Sequence, residues 1–163
     1  ATSDKGLASD LLRLIESSLD GDSQQIRISS VEGHELPPGA DPSVALRKEL
    51  AGASVVIGLI TKTSLASSYV LMELGAAWAL ERHTFQLIVP GLTYGDLPGP
   101  FKNIIALQLD SPNDLSRLID AIADNTTFRC KGIAKINGAI TIFREALVAR
   151  GVPEVTPNPP FRA

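Results

Sequence analysis

One cysteine serves all 163 residues. Cys130 therefore has no partner for an internal disulfide, and such sparse use of cysteine suits a reducing, cytoplasmic setting. Histidine is nearly as scarce. His34 and His83 are the two present, and with Cys130 they show no metal-ligand spacing, so no metal site is expected. Charge of one sign is not concentrated anywhere: 15 Lys+Arg against 18 Asp+Glu give a net charge of -3 with no basic block. That excludes direct nucleic-acid binding through phosphate electrostatics. No apolar run reaches the roughly 18 to 20 residues needed to cross a bilayer, so no membrane partner is expected. Three fingerprints are also missing. There is no G-x-x-x-x-G-K-[ST] phosphate loop, since the glycines at 33 and 39 lack the lysine. There is no G-x-G-x-x-G after a strand, and no G-x-S-x-G elbow.

What is present is a chain 44% hydrophobic and 20% charged, enough for the core of one domain. Leu7, Leu11, Leu14, Ile15 and Leu19 fall at helical spacing and predict a helix over 6–19, capped by Ser3 or Asp4. QIRIS at 25–29 alternates like a short strand, and 30–41 is punctuated by Gly33, Pro37, Pro38 and Gly39. Asp41 and Pro42 open a helix to about 51, because proline fits a first turn. The runs 54–61, 85–89 and 104–109 are predominantly apolar, the pattern of strands buried on both faces. Helices are expected over 66–82, from the Ser-Pro-Asn-Asp at 111–114 to about 124, and from 133 to 150. Residues 90–100 read as loop, and 152–163, with four prolines, as a tail or linker. Apolar strands separated by helices predict an α/β fold, an open parallel sheet with helices on both faces.

The helix over 66–82 holds the clearest candidate site. From 63 to 80 its single ionisable carboxylate is Glu73, set among Val70, Leu71, Met72, Leu74, Ala76, Ala77, Trp78, Ala79 and Leu80. A helix apolar all round is largely buried, so its carboxylate is desolvated and paired, neutralised, or placed at a cleft. The small residues Gly75, Ala76 and Ala77 beside it let a ligand come close. Tyr69 stands one turn earlier on the same face. The plain alternative keeps Glu73 as a solvent-facing residue and Tyr69 as core; Trp78 is expected in the core. The 30–41 loop is the second candidate, with Glu32, His34, Glu35 and Asp41 as its titratable groups. Cys130 lies between Arg129 and Lys131, which could lower its pKa, but with no catalytic partner it is expected to be simply buried.

These residues resemble a known family. The segment 1–5 (ATSDK), the LPPG at 36–39 with the helix after it, and SLASSYVLMELGAAW at 64–78 are similar to segments of bacterial Toll/interleukin-1 receptor (TIR) domains. The resemblance covers 1 to about 125. It implies a flavodoxin-like sheet of order 2-1-3-4-5, with the family's first strand missing ahead of Ala1; a trimmed N-terminus is the expected reason. Residues 126–150 would be a C-terminal extension helix and 151–163 the tail, leading towards a sensor domain or partner protein. The implied activity is cleavage of NAD+ to nicotinamide and ADP-ribose or a cyclic product, with NAD+ as substrate rather than cofactor. Glu73 matches the catalytic carboxylate, and Tyr69, Ser3 and Asp4 the substrate site. Gly33, His34, Pro38, Gly39 and Asp41 match the loop that serves assembly with other TIR domains into an oligomer or filament. The implied setting is prokaryotic anti-phage defence. Tyr69 stands where the family more often has Trp. Two other functions stay open: a signalling scaffold that binds other TIR domains without catalysis, and an enzyme like the nucleoside deoxyribosyltransferases, which also places a Glu at a ribose.

Overall fold

The computed structural model describes residues 2–26, 44, 48, 50–97, 99 and 106–152, and of residues 2–4, 68–70, 72 and 73 the backbone alone. The fold is mixed α/β, built on three parallel strands with helices on both faces. Helix α1 (Thr2–Ser18) buries Leu7, Leu11, Leu14 and Ile15 as the periodicity predicts. It starts earlier than expected, so Ser3 and Asp4 lie within its first turn and neither is the cap. Leu19 and Asp20 leave the helix to form strand β1, which pairs antiparallel with Arg129–Cys130 further along the chain. A two-residue pairing has no periodicity to read, and it was not foreseen. Beside it Gly21 is obligatory, because a Cβ there would come within 1.4 Å of the Phe128 ring.

The strand expected over 25–29 is corrected at its start. Ser23–Gln25 is a 3-10 turn, because the backbone N–H of Gln24 donates to the Asp22 carboxylate (3.0 Å) and this local cap overrides the alternation. The rest of that strand, the 30–41 loop and most of the helix after it lie outside the described residues, although Val44, Lys48 and residues 50–52 are helical.

Strands β2 (Val55–Ile60), β3 (His83–Ile88) and β4 (Ala106–Gln108) form the parallel sheet in the order β2-β3-β4. Val55 pairs with His83 and Ile60 with Ile88, and Gln86 pairs with Ala106. Between β2 and β3 the helix expected over 66–82 runs as α3 (Ser68–Ala79), and a short helix that was not expected, α2 (Lys62–Ala66), precedes it. The reason is a capping box at the end of β2. The Ser64 N–H donates to Thr61 Oγ1 (3.0 Å) and the Thr61 N–H to Ser64 Oγ (2.7 Å), which starts a helix early. Extended backbone at Ser67 then ends it. Glu81, at φ 54, turns the chain after α3 in a conformation that an L-residue rarely adopts.

Helix α4 (Pro112–Asn125) is capped by Ser111, whose Oγ accepts from the Asp114 N–H (3.2 Å). Asp114 itself reaches back to accept from the Gln108 N–H (2.9 Å), tying the helix to the end of β4. Strand β5 (Arg129–Cys130) and helix α5 (Ile133–Ala149) complete the described chain.

Alternation along the strands divides the core. Val55, Ile57, Leu59, Phe85, Leu87 and Leu107 pack with α1, α4 and α5. Ile60, Ile88 and Ala106 face the other way, with Leu65, Leu71 and Leu74 of α2 and α3. This pattern is why each strand reads as predominantly apolar. Gly58 lets α3 approach closely, since a Cβ there would lie 2.4 Å from Leu74 Cδ2. The exception is Gln86, 0% exposed, whose carboxamide nitrogen and oxygen both lack a hydrogen-bond partner. No helix among the described residues is long and apolar enough to cross a membrane.

Candidate functional site

Helix α3 places the carboxylate-bearing residue. Its sheet-facing stripe includes Leu74 and Ala77, the latter 0% exposed. The helix then makes two separate contacts. Leu71 and Leu74 lean towards Ile88, Leu92, Leu97 and Ala106. Ala76 and Ala77 instead meet Leu50 and Val56. Glu73 is three residues before Ala76 and four before Ala77, and positions so spaced share one side of a helix. Its backbone therefore stands on the flank of α3 that faces Leu50, one of the helical residues that follow 30–41 in the chain. Tyr69, four residues earlier, shares that flank. Glu73 lies roughly 7.5 Å along the axis from Ser68, within the half of α3 nearer the carboxyl end of the sheet.

Ser3 and Asp4 reach the same end by another route. Helix α4 leaves β4 at the carboxyl end of the sheet and runs back to the amino end, where Arg129–Cys130 follows it. Because α1 finishes against that pair, its first turn lies at the opposite, carboxyl end. In open α/β sheets ligands bind there. Helices α1 and α3 nevertheless cover opposite faces of the sheet, so the structure does not bring Ser3 and Asp4 into one packed cluster with α3. Gly33, His34, Pro38, Gly39 and Asp41 lie outside the described residues.

Two expectations beside the site are corrected. Trp78 is 55% exposed rather than core, and Leu80 is also exposed. Leu74 and Ala77 take the sheet-facing positions, and a helix apolar on nearly every side has no polar stripe to reveal which residues those are. Cys130 is exposed rather than buried. Its Sγ lies 3.9 Å from Asp120 Oδ1. Partial desolvation, then the charges of Asp120 and Asp124, push its pKa up, opposite to the effect expected of its basic neighbours. Lys131 is occupied elsewhere: its ammonium donates to the Glu16 carbonyl oxygen (2.6 Å) and approaches Asp20 (3.8 Å).

No family model and no curated protein matches the chain. The site must be judged on its own geometry. An open cleft of about 320 Å³ lies between the end of α1 and Phe128, with Lys131 at its wall. It is at the amino end of the sheet, away from the end nearer Glu73, and none of the candidate site residues lines it. At the carboxyl end the fixed polar groups are structural. Thr61 and Ser64 are buried in their capping box, and the Tyr94 hydroxyl donates to the Ala106 carbonyl oxygen. Arg144 Nε donates to the Asp110 carbonyl oxygen (3.0 Å). The signal that sequence alone could not supply is the Leu50 contact, because it needs the packing of α3 to show which flank of the helix meets the chain after the loop.

Proposed function

We propose that the chain is a TIR-like NAD+ nucleosidase that releases nicotinamide and ADP-ribose or a cyclic ADP-ribose. The observation that carries this reading is the shared placement of Tyr69 and Glu73 on the flank of α3 that faces Leu50. The parallel order β2-β3-β4 supports it, because these strands would be the last three of a 2-1-3-4-5 sheet. In that order a strand ahead of Ala1 would pair with the other edge of β2.

The chemistry asks for little machinery. Nicotinamide leaves as a neutral base, so breaking its bond to ribose needs no strong nucleophile. Positive charge develops on the ribose ring, as in glycoside hydrolysis. Glu73 would stabilise that charge and accept a hydrogen bond from a ribose hydroxyl, while Tyr69 would stack on a flat ring of the substrate. Water, or an atom of the substrate's own adenine in the cyclic case, then takes the ribose carbon. Ser3 and Asp4 would bind substrate from the start of α1. The loop with Gly33, His34, Pro38, Gly39 and Asp41 would join copies of the domain, coupling activity to assembly. A cytoplasmic defence role, triggered through a sensor domain or partner, completes the proposal.

The test is nicotinamide release from NAD+ at high protein concentration, wild type beside Glu73→Ala. The expected loss is about 100- to 1,000-fold, the usual scale for removing one such electrostatic contact. Equal release by the variant would overturn the role of Glu73. Absence of release from the full-length protein would overturn the enzyme reading, and release of a free base from nucleosides but not from NAD+ would favour the deoxyribosyltransferase-like alternative.

A further inference from the structure

Helix α5 carries an outward face that nothing in its own fold explains. Its buried side is complete: Ile136, Ala139, Ile140, Phe143 and Leu147 pack into the main core. On the other side Ile142 is 68% exposed. Four residues before it stands Gly138, inside a helix, where glycine is disfavoured relative to alanine. No tight contact requires it, since a Cβ at Gly138 would meet nothing within 4 Å. Lys135 and Glu145 are exposed on the same face, and neither has an ion-pair partner among the described residues.

Positions 135, 138, 142, 145 and 149 follow the alternating three-and-four spacing of a helix–helix seam. The seam is self-complementary in one arrangement. When a second α5 is laid antiparallel about residue 140, Lys135 meets Glu145 of the other copy and Gly138 meets Ile142. Each pairing occurs twice, as a two-fold interface demands. Opposite charges then close both ends, and each isoleucine sits over the open glycine of its partner. A parallel arrangement would set like charges against each other.

We propose that the α5 face is a homodimer interface in which two copies pack antiparallel through Gly138 and Ile142, with Lys135 and Glu145 fixing the register. This inference is independent of the nucleosidase reading. A single helix pair buries less than the roughly 1,200 Å² of a standard interface, so the dimer is weak and forms at high concentration.

Sedimentation velocity on the full chain over a concentration series tests it. Wild type is expected to shift from monomer towards dimer as concentration rises. Ile142→Asp, at an exposed position that should leave folding intact, is expected to weaken the dimer at least about tenfold, 1.4 kcal/mol. Lys135→Glu and Glu145→Lys should each abolish it, whereas the double variant, or an equimolar mixture of the two single variants, should restore it. A wild type that stays monomeric throughout overturns the proposal, as does dimerisation that appears only after residues 153–163 are removed. A dimer that survives Ile142→Asp, or charge reversals that the double variant does not rescue, would equally overturn it.

Discussion

Gly58→Ala tests the seat on which α3, and with it Glu73, rests. The added methyl carbon would lie 2.4 Å from Leu74 Cδ2, 3.4 Å from Cδ1 and 3.5 Å from Cγ. Carbon atoms pack at about 3.5–4.0 Å, so Leu74 must retreat by more than about 1 Å. It has little room, being 4% exposed and enclosed by Ile60, Ile88 and Ala106. Overpacking of this kind costs about 1–3 kcal/mol, offset by about 0.5–1 kcal/mol from replacing glycine within a strand. A net loss of about 1–2 kcal/mol follows, or roughly 2–8 °C in Tm for a chain of this size. Urea denaturation measures it directly. Leu74→Ala alone should cost about 2–5 kcal/mol. In the double variant the new methyl occupies part of the vacated space, so the two losses should fall short of additivity by about 0.5–3 kcal/mol. On the nucleosidase reading proposed above, α3 also carries Glu73, so Gly58→Ala should lower NAD+ cleavage towards the roughly 100-fold that a 1 Å misplacement can produce. Unchanged stability, or strict additivity in the double variant, would refute the close approach of α3 to β2.

Gln86→Met should raise stability by about 1–3 kcal/mol in urea denaturation, because it removes a buried carboxamide with neither atom paired; a loss of stability would show that Gln86 is satisfied after all. Cys130 should alkylate with iodoacetamide more slowly at neutral pH than free cysteine, and Asp120→Asn should speed it by lowering the thiol pKa. The same raised pKa means that the folded state holds its proton longer than the unfolded state, so this group's contribution to stability falls as pH rises past the ordinary thiol range. Alkylation faster than that of free cysteine would contradict the influence of Asp120 and Asp124.

Legibility from sequence followed the presence of a polar stripe. The helices α1, α4 and α5 announced themselves because buried leucines and isoleucines recur at helical spacing between polar residues. The strands β2, β3 and β4 were equally plain, since burial on both faces leaves a run that is mostly apolar. Helix α3 was harder. Apolar on nearly every side, it hid both the short helix before Ser67 and the exposure of Trp78, which depend on a capping box and on the sheet's limited reach. The pairing of Leu19–Asp20 with Arg129–Cys130 left no trace at all, since two residues cannot show a period. For the candidate site, the four-residue spacing of Tyr69 and Glu73 was visible in the letters. The flank they occupy was not, because Ala76 and Ala77 look like filler until Leu50 packs against them.

The contacts that hold α1 join distant stretches of chain. Lys131 bonds to Glu16, Arg150 to Asp10, and α1 packs along α5. During synthesis at about 5–20 residues per second, the interval between the end of α1 and the arrival of residue 150 is roughly 7 to 26 s. Throughout it Leu7, Leu11, Leu14, Ile15 and Leu19 have none of their α5 partners. Contacts of such long range form late in any case. The nascent chain thus carries the apolar stripe of α1 without its α5 cover until α5 emerges from the ribosome, and a chaperone that shields the stripe for that interval should raise the yield of folded protein.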